Sequence, residues 1–296
     1  MATLTQFLQS VLAKKVPDLP NNTQRILLKE TLQAYVLDFL YNHPEYRHLN
    51  FYGGTCLRSV FQLNRLSEDI DLDNQARVDL SRLEEHLLQH FSSMEPGLAI
   101  DAHTQMGASE VMRITLRFPV LFTLGLSPHQ SENLHLKVEI SHHDQVAVTQ
   151  RTPVLYHSRV FIPVHFSLET MMAGKVLACL ERSFFVGKTK TIKGRDFYDL
   201  LWFMQQRIEP LEEKLSKDGR VPYTKRSALE TLRDKVARIS RRELTQDLFP
   251  LFENRTFIET WVDAFHENFE RFSEFYRRSD NVLDIRLVQS ARLNQS

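Results

Sequence analysis

Phe51-Tyr-Gly-Gly-Thr-Cys-Leu-Arg58 runs a short apolar stretch into two adjacent glycines, and Arg65-Leu-Ser-Glu-Asp-Ile-Asp-Leu-Asp73 then sets aspartates at every second position. Both features are costly. Glycine loses more backbone freedom on folding than any other residue, and crowded carboxylates raise one another's pKa unless a cation neutralises them. A ligand that needs both offsets both costs.

On a strand, alternate residues face the same way, so Asp69 and Asp71 share a face while Ile70 and Leu72 point into a core. Their Cα atoms would lie roughly 6.6 Å apart. Mg²⁺ prefers oxygen ligands and binds through one or two carboxylates plus substrate phosphates. Two such ions roughly 3.5–4 Å apart would clamp the attacking and leaving oxygens of a phosphoryl or nucleotidyl transfer. Asp73 would share the face if the strand continued, but Asn74 marks a turn, so Asp73 is left out of the metal set.

The glycines sit between a short strand, Asn50 to Tyr52, and a helix expected from Thr55 to Leu63. Backbone amides without side chains can approach a triphosphate closely, and a helix N-terminus adds a partial charge of roughly +0.5. Thr55 can add a hydroxyl. A Gly-Gly pair alone indicates little more than a tight turn. The whole order of strand, Gly-Gly, helix, strand and Asp-x-Asp is far more specific.

Working outward, Asn22 to Tyr41 reads as an amphipathic helix with Ile26, Leu27, Leu32, Tyr35, Val36 and Phe39 near one face. Leu66 to Leu72 reads as a strand and Leu80 to Phe91 as a helix. Val111–Phe118 and Leu134–Ile140 alternate with period two, which predicts two half-buried strands joined by a long hairpin. On the second, Lys137 and Glu139 share the polar face. Glu139 is either a third metal carboxylate or half of a solvated Lys/Glu pair. Helices are expected over Leu168–Arg182, with Ser167 as N-cap, over Arg195–Gln206, and on to about Tyr276. The fold class is therefore α+β: a mixed sheet with helices over residues 1–165, then an all-helical domain over 166–296.

The chain has 296 residues, equal numbers of acidic and basic side chains, and 42% apolar residues, as expected of a protein with a sizeable core. No apolar run reaches 18 residues, so no membrane span is expected. The N-terminus lacks a basic start and an apolar signal core. Cys56 and Cys179 sit among apolar neighbours and are expected to be reduced, which fits a cytoplasmic location. Charge is uneven: Arg182 to Arg242 holds 16 Lys/Arg and 8 Asp/Glu, either a solvated face or a contact surface for phosphates. Gly187-Lys188-Thr189 is not a P-loop, because Arg182 stands where that pattern needs glycine. His142-His143-Asp144 is no zinc site, because adjacent histidines on a strand point to opposite faces.

The order Gly-Gly-Thr-x-Leu, then Arg-x-Ser-x-Asp-Ile-Asp-Leu, resembles the DNA polymerase β-type nucleotidyltransferases. More narrowly it resembles the AbiEii/AbiGii toxin branch, which includes the MenT toxins of bacterial toxin–antitoxin pairs. The resemblance implies that Gly53, Gly54 and Thr55 grip a nucleoside triphosphate and that Asp69 and Asp71 hold metal, with two Mg²⁺ ions expected. It places Ser67 on the phosphate side, as a point where phosphorylation could regulate the site. Phe166-Ser-Leu-Glu-Thr-Met-Met-Ala-Gly-Lys175 resembles the branch's lysine helix, which gives Lys175 the role of a cation for the triphosphate. Gly194-Arg-Asp-Phe-Tyr-Asp-Leu-Leu201 resembles its Arg-Asp-x-x-Asp-Leu motif, which makes Asp196 either the partner that orients Lys175 or a base for the attacking hydroxyl. Asp199 belongs to the same motif. Gly174 departs from the branch, where an acidic residue is usual. Arg58 and Arg65 are either phosphate contacts or surface charges.

The resemblance spans Leu49 to Leu201. It implies an enzyme that moves a nucleotide from an NTP to RNA, with the tRNA 3′ end as acceptor and aminoacylation blocked as the outcome, and it allows a cognate antitoxin. Transfer to a protein or small molecule, or GTP binding without turnover, stays open beside it.

Overall fold

The computed structural model describes residues 3–14, 19–107, 110–186 and 189–277. It divides into two units. One comprises residues 1–144, 148–167 and 250–253, and the other comprises 145–147, 168–249 and 254–296.

The first unit is built on a seven-stranded mixed sheet. Its strands are β1 (Asn50–Tyr52), β2 (Asp69–Asp73), β3 (Asp101–Met106), β4 (Val111–Phe118), β5 (Leu134–Ser141), β6 (Thr149–Arg151) and β9 (Val164–Phe166), in the order β3-β4-β5-β2-β1-β9-β6. Strand β2 lies antiparallel to β1 and parallel to β5, while β4 and β5 form the hairpin expected from their alternation. One face of the sheet is the core. Phe51, Ile70, Leu72, Ile114, Leu116, Phe118, Leu136, Val138 and Ile140 are all fully buried there.

Helix α2 (Asn21–Asn42) covers that face together with α4 (Leu83–Met94). Burial of α2 extends well beyond the single stripe expected, taking in Leu28, Ala34, Leu37 and Leu40. The cause is coverage from other sides. Helix α1 (Leu4–Ala13) brings Phe7 edge-on to Tyr35. A hairpin of β7 (Val154–Tyr156) and β8 (Arg159–Phe161) lays the Arg159 guanidinium 4.0 Å from the Tyr35 ring centroid.

Helix α3 runs from Gly53 to Phe61 and so takes in both glycines of its expected approach. It ends at Gln62, which adopts a left-handed conformation (φ 59°). The expected strand at Leu66 begins only at Asp69, because the Leu66 amide is diverted to the carbonyl of Leu251 at 2.9 Å. At its other end β2 continues through Asp73, and the turn starts at Asn74, whose side chain closes it on the backbone of Val78.

The second unit holds α5 (Leu168–Glu181), α6 (Gly194–Gln205), α7 (Glu212–Asp218), α8 (Lys225–Val236), α9 (Arg241–Leu248), α10 (Arg255–Asp263) and helical residues 265–277. Helix α5 packs on α6, α7 and α8, and α6 packs on α9 around Met171, Val176, Phe197, Leu200, Phe203, Leu232 and Leu244. The close α6–α9 approach explains Gly194: a Cβ there would lie 3.2 Å from the Leu244 carbonyl oxygen. Helices α8 and α9 each begin with a capping box, on Thr224 and Ser240. This unit is not wholly helical. Between α5 and α6 stands a two-stranded hairpin, β10 (Phe184–Val186) with β11 (Thr189–Thr191), and Gly187 and Lys188 lie outside the described residues. Both cysteines are free and buried, and burial pushes their thiols well up. No helix among the described residues is long and apolar enough to cross a membrane.

Candidate active site

The non-core face of the sheet carries the acidic residues in register. One row across it reads Tyr52 on β1, Asp71 on β2, Glu139 on β5 and Arg113 on β4. The next pairs Asp69 with Lys137, and a third joins Asn50, Asp73 and Ser141. The three aspartates of β2 therefore share a face but not an environment. Asp69 and Asp71 are half-buried. Asp73 is fully buried and accepts hydrogen bonds from Asn50 Nδ2 (3.2 Å), Ser141 Oγ (3.0 Å) and the Gln75 amide (3.3 Å). That makes Asp73 a structural brace between strands.

The glycines fit around these groups. Gly53 has φ +77°, a conformation few L side chains adopt, and a Cβ on it would meet the Asp71 carboxylate oxygen at 2.0 Å. Asp71 thus lies directly against the first turn of α3. A Cβ on Gly54 would lie 2.7 Å from Arg65 Nη2 and 2.9 Å from Ser67 Oγ. The glycine pair therefore has a structural reason beyond ligand access: it makes room for the carboxylate and for a buried guanidinium. Thr55 is fully buried, and its hydroxyl donates to the Asp69 carbonyl at 2.5 Å, fastening α3 to β2.

Burial pushes the Asp69 carboxyl above the ordinary carboxylate range. Lys137 and Lys29 oppose this, while Glu68 and Glu139 add to it. Asp69 therefore sits in a position that wants more positive charge than the protein supplies. Glu139 is answered differently, since Arg113 Nε lies 2.7 Å from its Oε1. Among the described residues no three His, Cys, Asp or Glu gather closely enough to hold a cation by themselves. A pair of carboxylates completed by substrate phosphates is the donor set that suits Mg²⁺, and Asp69 with Asp71 offers such a pair.

Neither Arg58 nor Arg65 is a surface charge. Arg65 is 3% exposed, with Nη1 donating to the Leu66 carbonyl. Arg58 donates to Glu30, which is 1% exposed and also accepts from the Ser67 amide at 3.2 Å. Ser67 itself is buried. Glu30 is the residue the sequence reading missed. Its signal was an acidic side chain on the inward side of α2, where it has to find partners.

In the second unit, Lys175 on α5 meets two carboxylates of α6, Asp196 Oδ1 at 2.8 Å and Asp199 Oδ2 at 2.9 Å. Arg182 Nη1 holds the other Asp196 oxygen at 2.7 Å. Burial would raise the Asp196 carboxyl, yet Lys175 and Arg182 together hold it well below the usual range. Positions 196 and 199 fall on one face of the helix, so Asp199 is a full member of the cluster. Gly174, the departure noted above, has Lys214 Cε 3.7 Å from where its Cβ would be. The Lys214 ammonium is met instead by Asp218 (2.6 Å), Gln145 (2.9 Å) and the Val146 carbonyl (3.1 Å).

A family model described as "Nucleotidyl transferase AbiEii toxin, Type IV TA system" matches residues 37–283, beyond both ends of the stretch that carries the sequence motifs. No curated protein matches the chain. Among solved structures, one from H. pylori described as a "putative nucleotidyltransferase" aligns at 20% identity and a TM-score of 0.49, covering 85% of this chain and 96% of its own. The chain belongs to the AbiEii nucleotidyltransferase toxin family of type IV toxin–antitoxin systems.

Proposed function

We propose that this nucleotidyltransferase moves a nucleotide from an NTP to RNA in a Mg²⁺-dependent reaction, with the 3′ end of tRNA as acceptor, so that aminoacylation is blocked. The carrying observation is the Asp71 carboxylate lying against Gly53 at the first turn of α3, with Asp69 on the same strand face. Phosphates drawn to the α3 N-terminus would meet both carboxylates at once. Asp69 and Asp71 would hold the metal, which when bound neutralises charge on the triphosphate and on the pyrophosphate leaving group. Gly53 and Gly54 would offer backbone amides, and Thr55 would keep α3 in place on β2. Ser67 lines the underside of that turn. Glu139 would serve as a third ligand only after releasing Arg113. In this reading Lys175 supplies a cation to the triphosphate, and Asp196 with Asp199 orients its ammonium.

The surplus of basic residues between Arg182 and Arg242 supports a polyanionic acceptor. Toxin-family membership supports a cognate antitoxin. The test is incubation with α-labelled NTPs, Mg²⁺ and total tRNA. Label on tRNA with wild-type protein, absent with Asp69→Ala, is the expected result. Label on protein that survives RNase, or NTP binding with no pyrophosphate release, would sink the reading.

A further inference from the structure

Helix α2 buries mostly apolar side chains, yet Glu30 and Gln33 are enclosed among them. Three residues apart, they lie on one face of the helix together with Lys29. All three reach the same short segment. Lys29 Nζ meets Glu68 Oε1 at 3.1 Å. Glu30 Oε1 accepts from the Ser67 amide at 3.2 Å, and Gln33 Nε2 donates to the Ser67 carbonyl at 3.0 Å. Residue 67 is therefore held at both of its peptide groups. Glu30 Oε1 also accepts from Arg58 Nε at 3.1 Å, so one carboxylate ties α3 to the segment that leads into β2. This grip has a cost. Gln33 Oε1 is buried and has no hydrogen-bond partner among the described residues, a loss that an apolar side chain of the same size would avoid. A buried charge such as Glu30 is likewise weak evidence of added stability. What the clamp holds explains it better. Ser67 stands two residues before Asp69, and its Oγ lies 2.9 Å from where a Cβ on Gly54 would be. The clamped residue thus adjoins both the acidic strand and the first turn of α3.

We propose that Glu30 and Gln33 are positioning residues of the nucleotide site. They touch no substrate. They fix how far Ser67, and with it Asp69, stands from the N-terminal turn of α3. That spacing matters because one triphosphate has to reach the α3 amides and the metal on Asp69 and Asp71 together, and a misplacement of about 1 Å can cost about 10²-fold. A pair that served only the core could be exchanged for apolar side chains of similar volume without functional loss. The inference rests on the metal and phosphate roles given above to Asp69, Asp71 and the α3 turn, and adds which residues outside the site keep those parts in register.

The experiment uses the full chain with Mn²⁺ and inorganic tripolyphosphate, which offers the phosphates without a base. Calorimetric titration reads their binding, and thermal melts in metal-free buffer read stability. Gln33→Met keeps the volume and exchanges one unpaired buried oxygen for another, the Ser67 carbonyl. It should therefore melt close to the wild type yet weaken Mn²⁺–tripolyphosphate binding roughly 10- to 100-fold, the range for losing a group that orients a metal ligand. Glu30→Ala should weaken binding by a similar factor. Glu30→Gln keeps an oxygen for Arg58 and the Ser67 amide but loses the charge, so it should melt lower and still bind like the wild type. Thr31→Val is the control: Thr31 is buried on the same helix, and its hydroxyl donates to the Leu27 carbonyl at 3.1 Å, away from the segment before β2. It should bind like the wild type. If Gln33→Met or Glu30→Ala unfolds, the other carries the test. If Asp69→Ala loses binding while the folded clamp variants bind like the wild type, the clamp is only structural and the assignment is overturned, with the metal reading intact. If the wild type does not bind, or Asp69→Ala binds equally well, the reading beneath fails and takes the assignment with it. Equal losses in Glu30→Gln and Glu30→Ala would place the effect in the charge, and an equal loss in Thr31→Val would place it in a general loosening of α2; either overturns the assignment.

Discussion

Replacing Gly53 by alanine separates two reasons for a glycine. One is conformational: φ +77° costs an L residue about 1–2 kcal/mol. Lower entropy in the unfolded chain returns about 0.4–1 kcal/mol. The other is steric. The new Cβ would lie 2.0 Å from Asp71 Oδ2 and 2.7 Å from its Cγ, so the carboxylate must retreat by roughly 1.5 Å to reach ordinary contact. Leaving its rotamer costs about 0.5–1.5 kcal/mol more. Gly125 supplies the control, with φ +71° and no atom within 4 Å of its would-be Cβ. Gly125→Ala should therefore lose about 1 kcal/mol and Gly53→Ala about 1.5–2.5 kcal/mol. At about 2–4 °C per kcal/mol for a unit of this size, that is about 3 °C against about 5–8 °C in melting temperature. Calorimetry reads the stabilities. Mn²⁺ titration followed by electron paramagnetic resonance reads the ligand, with Mn²⁺ standing for Mg²⁺. A displaced Asp71 should weaken Mn²⁺ by about 10- to 100-fold, while Gly125→Ala leaves it alone. If Gly53→Ala melts with Gly125→Ala and binds Mn²⁺ like the wild type, Asp71 is not held by that contact and the reasoning fails.

Asp69→Asn should abolish transfer yet raise the melting temperature in metal-free buffer at pH 7. A carboxyl whose folded pKa is raised costs stability once pH exceeds its unfolded value, about 3.9. The gain should vanish near pH 3, where both forms are neutral, and an equal gain there would refute the account. Asp196→Asn should cost about 3 kcal/mol at pH 7, because it leaves Lys175 and Arg182 short of a partner. Its pKa is depressed, so that stability is fully present above the unfolded value, about 3.9, shrinks as pH falls below it and is wholly lost only below the folded pKa; in urea melts the wild-type advantage over Asp196→Asn should be smaller at pH 3 than at pH 7. Asp73→Ala should cost about 3 kcal/mol through its stranded donors while leaving Mn²⁺ affinity within a factor of two or so. A large loss of Mn²⁺ would move Asp73 from brace to ligand.

The centre of the candidate site was legible because its logic is local. Gly53, Gly54, Asp69 and Asp71 lie within one strand–helix–strand passage, and strand alternation alone put Asp69 and Asp71 together. Glu30 was not legible, because its partners Arg58 and Ser67 lie 28 and 37 residues away and only the packed helix brings them near. The strands β6 to β9 are three residues each, too short for a period of two to show. The hairpin before α6 hid for the same reason. The start of β2 was misplaced because the acceptor for Leu66 comes from residue 251, which no local pattern announces.

That last bond bears on how the protein can be divided. The first unit takes residues 250–253 from far along the chain, and the second takes 145–147 from within the first. No single cut yields both units intact. A fragment ending at residue 167 keeps every acidic residue of the sheet but loses Leu251, the acceptor for the amide three positions before Asp69. The start of the acidic strand would then be loose in the isolated fragment. Activity lost on such truncation would therefore be no evidence that the missing helices touch the substrate.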